Sequence, residues 1–220
     1  MEDVVVARSL RIRLYHTRAV RRRIARMNTD RLEAFSDGVI AILITIMVLE
    51  LKVPHDATIG ALGNMVPVLL SYLMSFIYLG IYWNNHHHLL AATDRISGGV
   101  LWANNHLLFW LSLVPFVTSW MDENHFAPVP TAMYGVVLFC AAIAYTILVR
   151  VIISADGGSN TRVAAAIGGD FKGNLSLLFY LAAIPLAFVH VLLADALYVL
   201  VAAIWLIPDR RIERRLADQA

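Results

Sequence analysis

Cysteine occurs once, at Cys140, which excludes an internal disulfide framework and every Cys-based zinc or iron–sulfur site. Charge is also scarce: Asp, Glu, Lys and Arg make up 15% of the residues, where a soluble domain carries about 25%. Nucleophilic catalysis has no footing. There is no Gly-x-Ser-x-Gly elbow, and Ser36 and Asp37 are sequence neighbours whose side chains diverge on a helix, so an enzyme is not expected. What the chain does have is apolar residue, 59% of its 220 positions, at a mean hydropathy of +0.66. These residues gather in charge-poor runs near the length of a membrane span. The pattern is that of a polytopic, all-α membrane protein.

Spans are expected at about residues 34–53, 61–83, 100–121 and 130–153. The final apolar run, Leu175–Ile207, carries Asp195 as its one formal charge. As a single helix it would be about 50 Å long, against a hydrocarbon core of about 30 Å. It is better divided into two spans, about 172–190 and 193–208, turning near His190–Asp195. No internal repeat relates spans one to three to spans four to six.

The formal net charge of +2 conceals a lopsided distribution of basic residues. Arg8, Arg11, Arg13, Arg18, Arg21, Arg22, Arg23, Arg26 and Arg31 precede the first span, and Arg210, Arg211, Arg214 and Arg215 follow the last. Arg95, Arg150, Arg162 and Lys172 fall on the same side of a six-span chain, leaving Lys52 alone on the other. A partition of 17 to 1 places both termini in the cytoplasm of a cell-membrane protein and requires an even number of spans. Residues 1–30 form a basic cytoplasmic segment, either a helix lying on an anionic membrane surface or a solvated tail, and they lack the apolar core of a signal peptide. Residues 209–220 form a basic tail. Positive-inside placement accounts for these arginines without any nucleic-acid partner. The loop Ser154–Gly173 is expected on the cytoplasmic side.

The densest signal opens the first span: Arg31-Leu-Glu-Ala-Phe35-Ser36-Asp37-Gly38-Val39. An ionisable group in a membrane helix is costly and faces protein or water, which makes Asp37 a candidate functional residue. At 100° per residue, Gly38, Ile42, Thr45, Ile46 and Leu49 share a stripe about 100° wide, and Asp37 sits about 140° from Ile42. Two faces imply two jobs. The Asp37 face would pack on the protein's own helices, and the Ile42 face would look toward lipid, another subunit or a pore. Taken alone, Thr45 has an ordinary reading as a hydroxyl bonded back to the carbonyl of Ala41.

The pattern Arg31-x-x-x-Phe35-Ser36-Asp37, followed by Gly38, Val39, Ala41 and Ile42, resembles the signature of the transmembrane protein 175 family of potassium channels. Trp83, His86 and His87 in the second span, with Asn104, Asn105 and His106 in the third, add a second likeness. The resemblance implies a homotetramer whose central pore is lined by the first helix. It makes Ile42 the hydrophobic constriction, with Ile46 and Leu49 further along the same face, and Thr45 a hydroxyl layer favouring potassium over sodium. Arg31, Phe35, Ser36 and Asp37 would brace this helix against spans two and three, through partners among Trp83, His86, His87, Asn104 and Asn105. No Thr-Val-Gly-Tyr-Gly-like loop exists here for a carbonyl filter, so ions would meet side chains and water.

His86-His87-His88 invites a metal reading, but adjacent helical residues diverge by about 100° and cannot converge on one ion. Structural hydrogen bonding is the better expectation, with one histidine paired to Asp37. No metal or other cofactor is expected beyond potassium as permeant ion. A proton- or ion-coupled secondary transporter using Asp37 and a histidine as relay is the alternative, kept open by Pro67, Pro115 and Pro185 within spans.

Overall fold

The chain is described from a computed structural model, which covers residues 29–54, 56–93, 95–158, 164 and 171–206. The basic residues 1–28 and 207–220, and most of the Ser154–Gly173 loop, lie outside the described residues, so the surface-helix and tail expectations are not addressed by it.

Every regular element among the described residues is an α-helix. In chain order these are α1 (Thr29–Leu49), α2 (Ile59–Asn64), α3 (Val66–Ala91), α4 (Gly98–Ser112), α5 (Val114–Glu123), α6 (Pro128–Asp156), α7 (Phe171–Val189) and α8 (Val191–Leu206). Helices α1, α3, the continuous α4–α5 pair, α6 and α7 are each long and apolar enough to span a bilayer, and α8 is a shorter apolar helix. The 21 residues of α1 reach about 31 Å at 1.5 Å per residue.

The first helix differs from expectation at both ends, beginning at Thr29 and stopping at Leu49 rather than running from Ala34 to Val53. Pro54 disfavours helix at the residue before it and cannot donate into the preceding turn. The start of the second span is also divided, into α2 and α3 with Met65 between them. Pro67 sits at the opening of α3, where its missing N–H costs nothing. Pro115 acts likewise in the third span. It cannot bond the carbonyl four residues back, so α4 closes with a tighter Leu113 N–H to Trp110 O bond of 3.2 Å and α5 begins afresh. Pro185 lies inside α7, which continues through it.

The expected hairpin at the end of the chain turns at His190. Trp205 Nε1–H donates to Ser176 Oγ at 2.8 Å, and the rings of Tyr180 and Tyr198 lie 6.4 Å apart. Both pairs are centred close to residue 190, as an antiparallel hairpin requires. Successive long helices run up and down. Arg95 N–H on Asp156 Oδ1 at 2.9 Å joins the α3–α4 and α6–α7 ends, while Lys52 and Glu123 meet at the opposite end. Arg31, Arg95, Arg150 and Lys172 therefore share one end of the bundle and Lys52 occupies the other.

The interior is built around tyrosine. Tyr78, Tyr134 and Tyr198 are fully buried and Tyr180 nearly so, with edge and tilted ring contacts among the four. Each hydroxyl buried in such a core needs a partner. Tyr78 donates to Tyr198 O at 2.6 Å, Tyr198 donates to Thr131 O at 3.1 Å, and Tyr134 pairs with Ser75 Oγ at 3.1 Å. This block of α3, α6, α7 and α8 is the rigid wall beside which α1 and α4 stand.

Candidate functional site

Helix α1 is two-sided in space as well as in sequence. Its buried positions are Thr29, Leu32, Ser36, Ile40, Leu43 and Met47, stepping by three or four residues as one helical face must. The other face is open. Phe35, Ile42, Ile46 and Leu49 are exposed, Ile42 at 57% and Leu49 at 79%. Gly38, Ala41 and Thr45 are exposed with them. The stripe that periodicity grouped is thus the face that the subunit does not cover.

The buried face carries a directional chain of hydrogen bonds across three helices. His86 Nε2 on α3 lies 2.7 Å from Asn104 Oδ1 on α4. Asn104 Nδ2–H donates to Ser36 Oγ on α1 at 2.9 Å, and Ser36 Oγ–H donates to Leu32 O at 2.9 Å. Because the amide nitrogen of Asn104 is committed to Ser36, its oxygen must accept, and His86 carries its proton on Nε2. All three side chains have no measurable exposure. One atom is left over: His86 Nδ1 is buried without a partner.

A second pair of contacts, one helical turn apart, flanks this chain. Trp83 Nε1–H donates to Asp37 Oδ1 at 3.0 Å, and His87 Nδ1 bonds Glu33 Oε1. Trp83 also stacks on His87, with ring centroids 6.1 Å apart and an interplanar angle of 24°. The histidine expected on Asp37 is therefore replaced there by Trp83. The reason is helical phase: Trp83 and His87, four apart on α3, face Asp37 and Glu33, four apart on α1. The three consecutive histidines go to three destinations, His86 to Asn104, His87 to Glu33, and His88 to an exposed position with an edge contact to His87.

Sequence reasoning missed Glu33. The signal was present, since Glu33 stands three residues before Ser36 and four before Asp37 and so shares their face. Other candidates are not brought together. Arg31 and Phe35 are exposed, and Asn105 points away from the Ser36–Asn104–His86 chain at an exposed position of α4. Thr45 Oγ1–H donates to Ile42 O at 3.0 Å, three residues back rather than to Ala41.

Chemically, this arrangement fastens one face of a helix through neutral and anionic polar groups and leaves the opposite face apolar, with a layer of hydroxyl oxygen. No nucleophile–base pair is formed on α1, since Ser36 and Asp37 both engage structural partners. A surface of this kind can line a conduit formed by several copies of the helix.

Comparison with known proteins gives the chain a family. The family model described as "Endosomal/lysosomal potassium channel TMEM175" matches residues 31–115, a stretch holding every residue of the anchor on α1, α3 and α4. A potassium channel of Chryseobacterium sp. (strain P1-3) is 53% identical over 87% of this chain and 100% of its own length. The chain belongs to the TMEM175 family. A second member, a potassium channel of Chamaesiphon minutus, is 32% identical over 76% of this chain and 87% of its own. The fold agrees with the crystal structure of a homolog, from Chamaesiphon minutus, of the lysosomal potassium-selective channel TMEM175. The TM-score is 0.71 at 28% identity, covering 82% of this chain and 97% of that one. The protein is accordingly a multi-span membrane protein of an ion-channel family.

Proposed function

We propose that four copies of this chain assemble a potassium-favouring cation channel whose pore is lined by α1. The carrying observation is the exposure of Ile42, Thr45, Ile46 and Leu49 on the face opposite the polar anchor. Lipid would tolerate the isoleucines and leucine. A close-packed ring of α1 helices uses them and Thr45 together.

In this reading Ile42 forms the constriction, with Ile46 and Leu49 along the same wall, and a ring of isoleucines opposes ion passage by narrowing and dewetting. Thr45 donates its hydroxyl proton to Ile42 O, so what it turns outward is oxygen lone pairs. Such oxygens replace part of a cation's hydration shell without fixed charge, which permits weak binding and fast release. Modest selectivity follows. Ser36, Asp37 and Glu33 hold α1 in register against Asn104, His86, Trp83 and His87. Arg31 and Phe35, exposed on the single subunit, would meet the neighbouring one. The basic ends would lie on the cytoplasmic side of the cell membrane, by the 17-to-1 partition.

The test is a planar-bilayer recording of purified protein under potassium/sodium bi-ionic conditions. A reversal potential displaced toward the potassium equilibrium value is expected. Ohmic current with no displacement removes the selectivity, and silent bilayers remove the channel.

A further inference from the structure

Lys52 is the basic residue that the charge partition leaves alone on its side of the membrane, and the anchor at the other end of α1 does not use it. Its surroundings give it a role. The last buried residue of α1 is Met47, and among the described residues from Val48 to Leu70 none is buried. Apolar packing thus stops about half a turn before the helix does. Behind this end lies a cavity of about 250 Å³, lined by Met47, Glu50 and Lys52 on one side and by Tyr72, Thr118 and Asp122 on the other. Two polar ties bridge it among the described residues. Ser119 Oγ–H donates to Glu50 Oε2 at 3.3 Å, and Lys52 Nζ sits 3.0 Å from Glu123 Oε1.

We propose that Glu50 and Lys52 form a latch to α5 that holds the end of the pore helix away from the pore axis. The proposal rests on α1 lining the pore. Leu49, next to the latch and 79% exposed, is the rim residue whose position it sets. With the latch closed, α1 is drawn toward Ser119 and Glu123 of its own subunit and the mouth is wide. With it open, no buried contact beyond Met47 retains the helix end, and the rim closes in. The Lys52 and Glu123 side chains are 82% and 59% exposed, so the tie is weak and sensitive to salt. A weak tie suits a control point better than a structural one.

The experiment uses single-channel recording of the full chain. Lys52→Glu and Glu123→Lys are each expected to lower the open-to-closed ratio about twofold to fivefold, with unitary conductance and ion preference unchanged. The double exchange should restore it. High ionic strength on the Lys52 side should lower the ratio in the parent channel and leave a Lys52→Gln channel unaffected. In a Cys140→Ala background, Leu49→Cys should be blocked by a membrane-impermeant thiol reagent from that side, and more slowly once Lys52 is Gln, because the rim then closes in. Block at an unchanged rate, with unshifted single exchanges, overturns the latch and leaves the pore standing. A double exchange that fails to restore the ratio overturns the pairing. Modification of Leu49→Cys without effect on current removes the pore-lining reading itself.

Discussion

Asn104 Oδ1 lies 2.7 Å from His86 Nε2, and neither side chain has measurable exposure. The amide is a two-way connector. Its oxygen accepts from α3 and its nitrogen donates to Ser36 on α1, so one residue of α4 registers the candidate pore helix against the helix behind it.

Replacing Asn104 by Leu should be the costliest change in this chain of bonds. It strands the His86 Nε2–H and leaves His86 with no partner at either ring nitrogen, since Nδ1 has none already. A stranded buried polar group costs about 1–3 kcal/mol. Ser36→Ala removes two neutral bonds, from Asn104 Nδ2–H and to Leu32 O, while His86–Asn104 persists, a loss of about 1.2 kcal/mol at the membrane average of about 0.6 kcal/mol per bond. Melting of the detergent-solubilised protein should rank parent above Ser36→Ala above Asn104→Leu. Equal melting of the two variants would contradict the connector role.

Asp37 is expected to act as an acceptor more than as a charge. Asp37→Asn keeps a carbonyl oxygen for the Trp83 Nε1–H and should retain assembly, at a cost of about 1 kcal/mol for exchanging a charged acceptor for a neutral one. Asp37→Leu and Trp83→Phe should both lower the yield of assembled protein on size-exclusion chromatography. A silent Asp37→Asn channel that assembles normally would instead point to the charge, as a proton relay requires.

Ile42 and Thr45 separate by readout. Ile42→Asn places hydratable amides at the proposed constriction and should raise unitary conductance, and an unaltered conductance would remove Ile42 from it. Thr45→Ala should move the potassium-to-sodium permeability ratio toward unity, while Thr45→Ser, which keeps the oxygen, should hold it nearer the parent value.

Gly135 on α6 reports on the tyrosine core. A Cβ there would come within 2.2 Å of Tyr198 Oη and 3.2 Å of Ile184 Cγ1. Tyr198 has little freedom to withdraw, because its hydroxyl is bound to Thr131 O and its ring packs on Tyr134. Gly135→Ala should therefore cost about 1–3 kcal/mol by overpacking, seen as a lower melting temperature. In a Tyr198→Phe background the penalty should shrink.

That the chain is a bundle of long apolar helices was readable from apolar run lengths, because a bilayer demands a nearly constant length of apolar helix. The two faces of α1 were readable because 3.6-residue periodicity is a property of the helix alone. Pairings were not. Ser36, Asp37, Trp83, His86 and Asn104 could all be named as candidates, yet nothing in their spacing says that Trp83 rather than a histidine meets Asp37. That depends on the rotation of α3 about its axis, which packing against α6 and the tyrosine core settles. Glu33 was passed over for the same reason, since its value lies in where His87 points. The subdivision of the third span at Leu113 follows from the missing N–H of Pro115, a local cause whose effect depends on neighbours, as uninterrupted α7 around Pro185 shows.

The sequence by itself determined an apolar, all-helical protein of several membrane spans, because solvation in a bilayer acts on runs one residue at a time. Only the tertiary structure decided which face of α1 is fastened, by which partners, and where the fastening ends. Those outcomes depend on directions between helices. Hydrogen bonds from Asn104 to Ser36 and from Lys52 to Glu123 join residues 68 and 71 positions apart, and no local pattern encodes such a meeting.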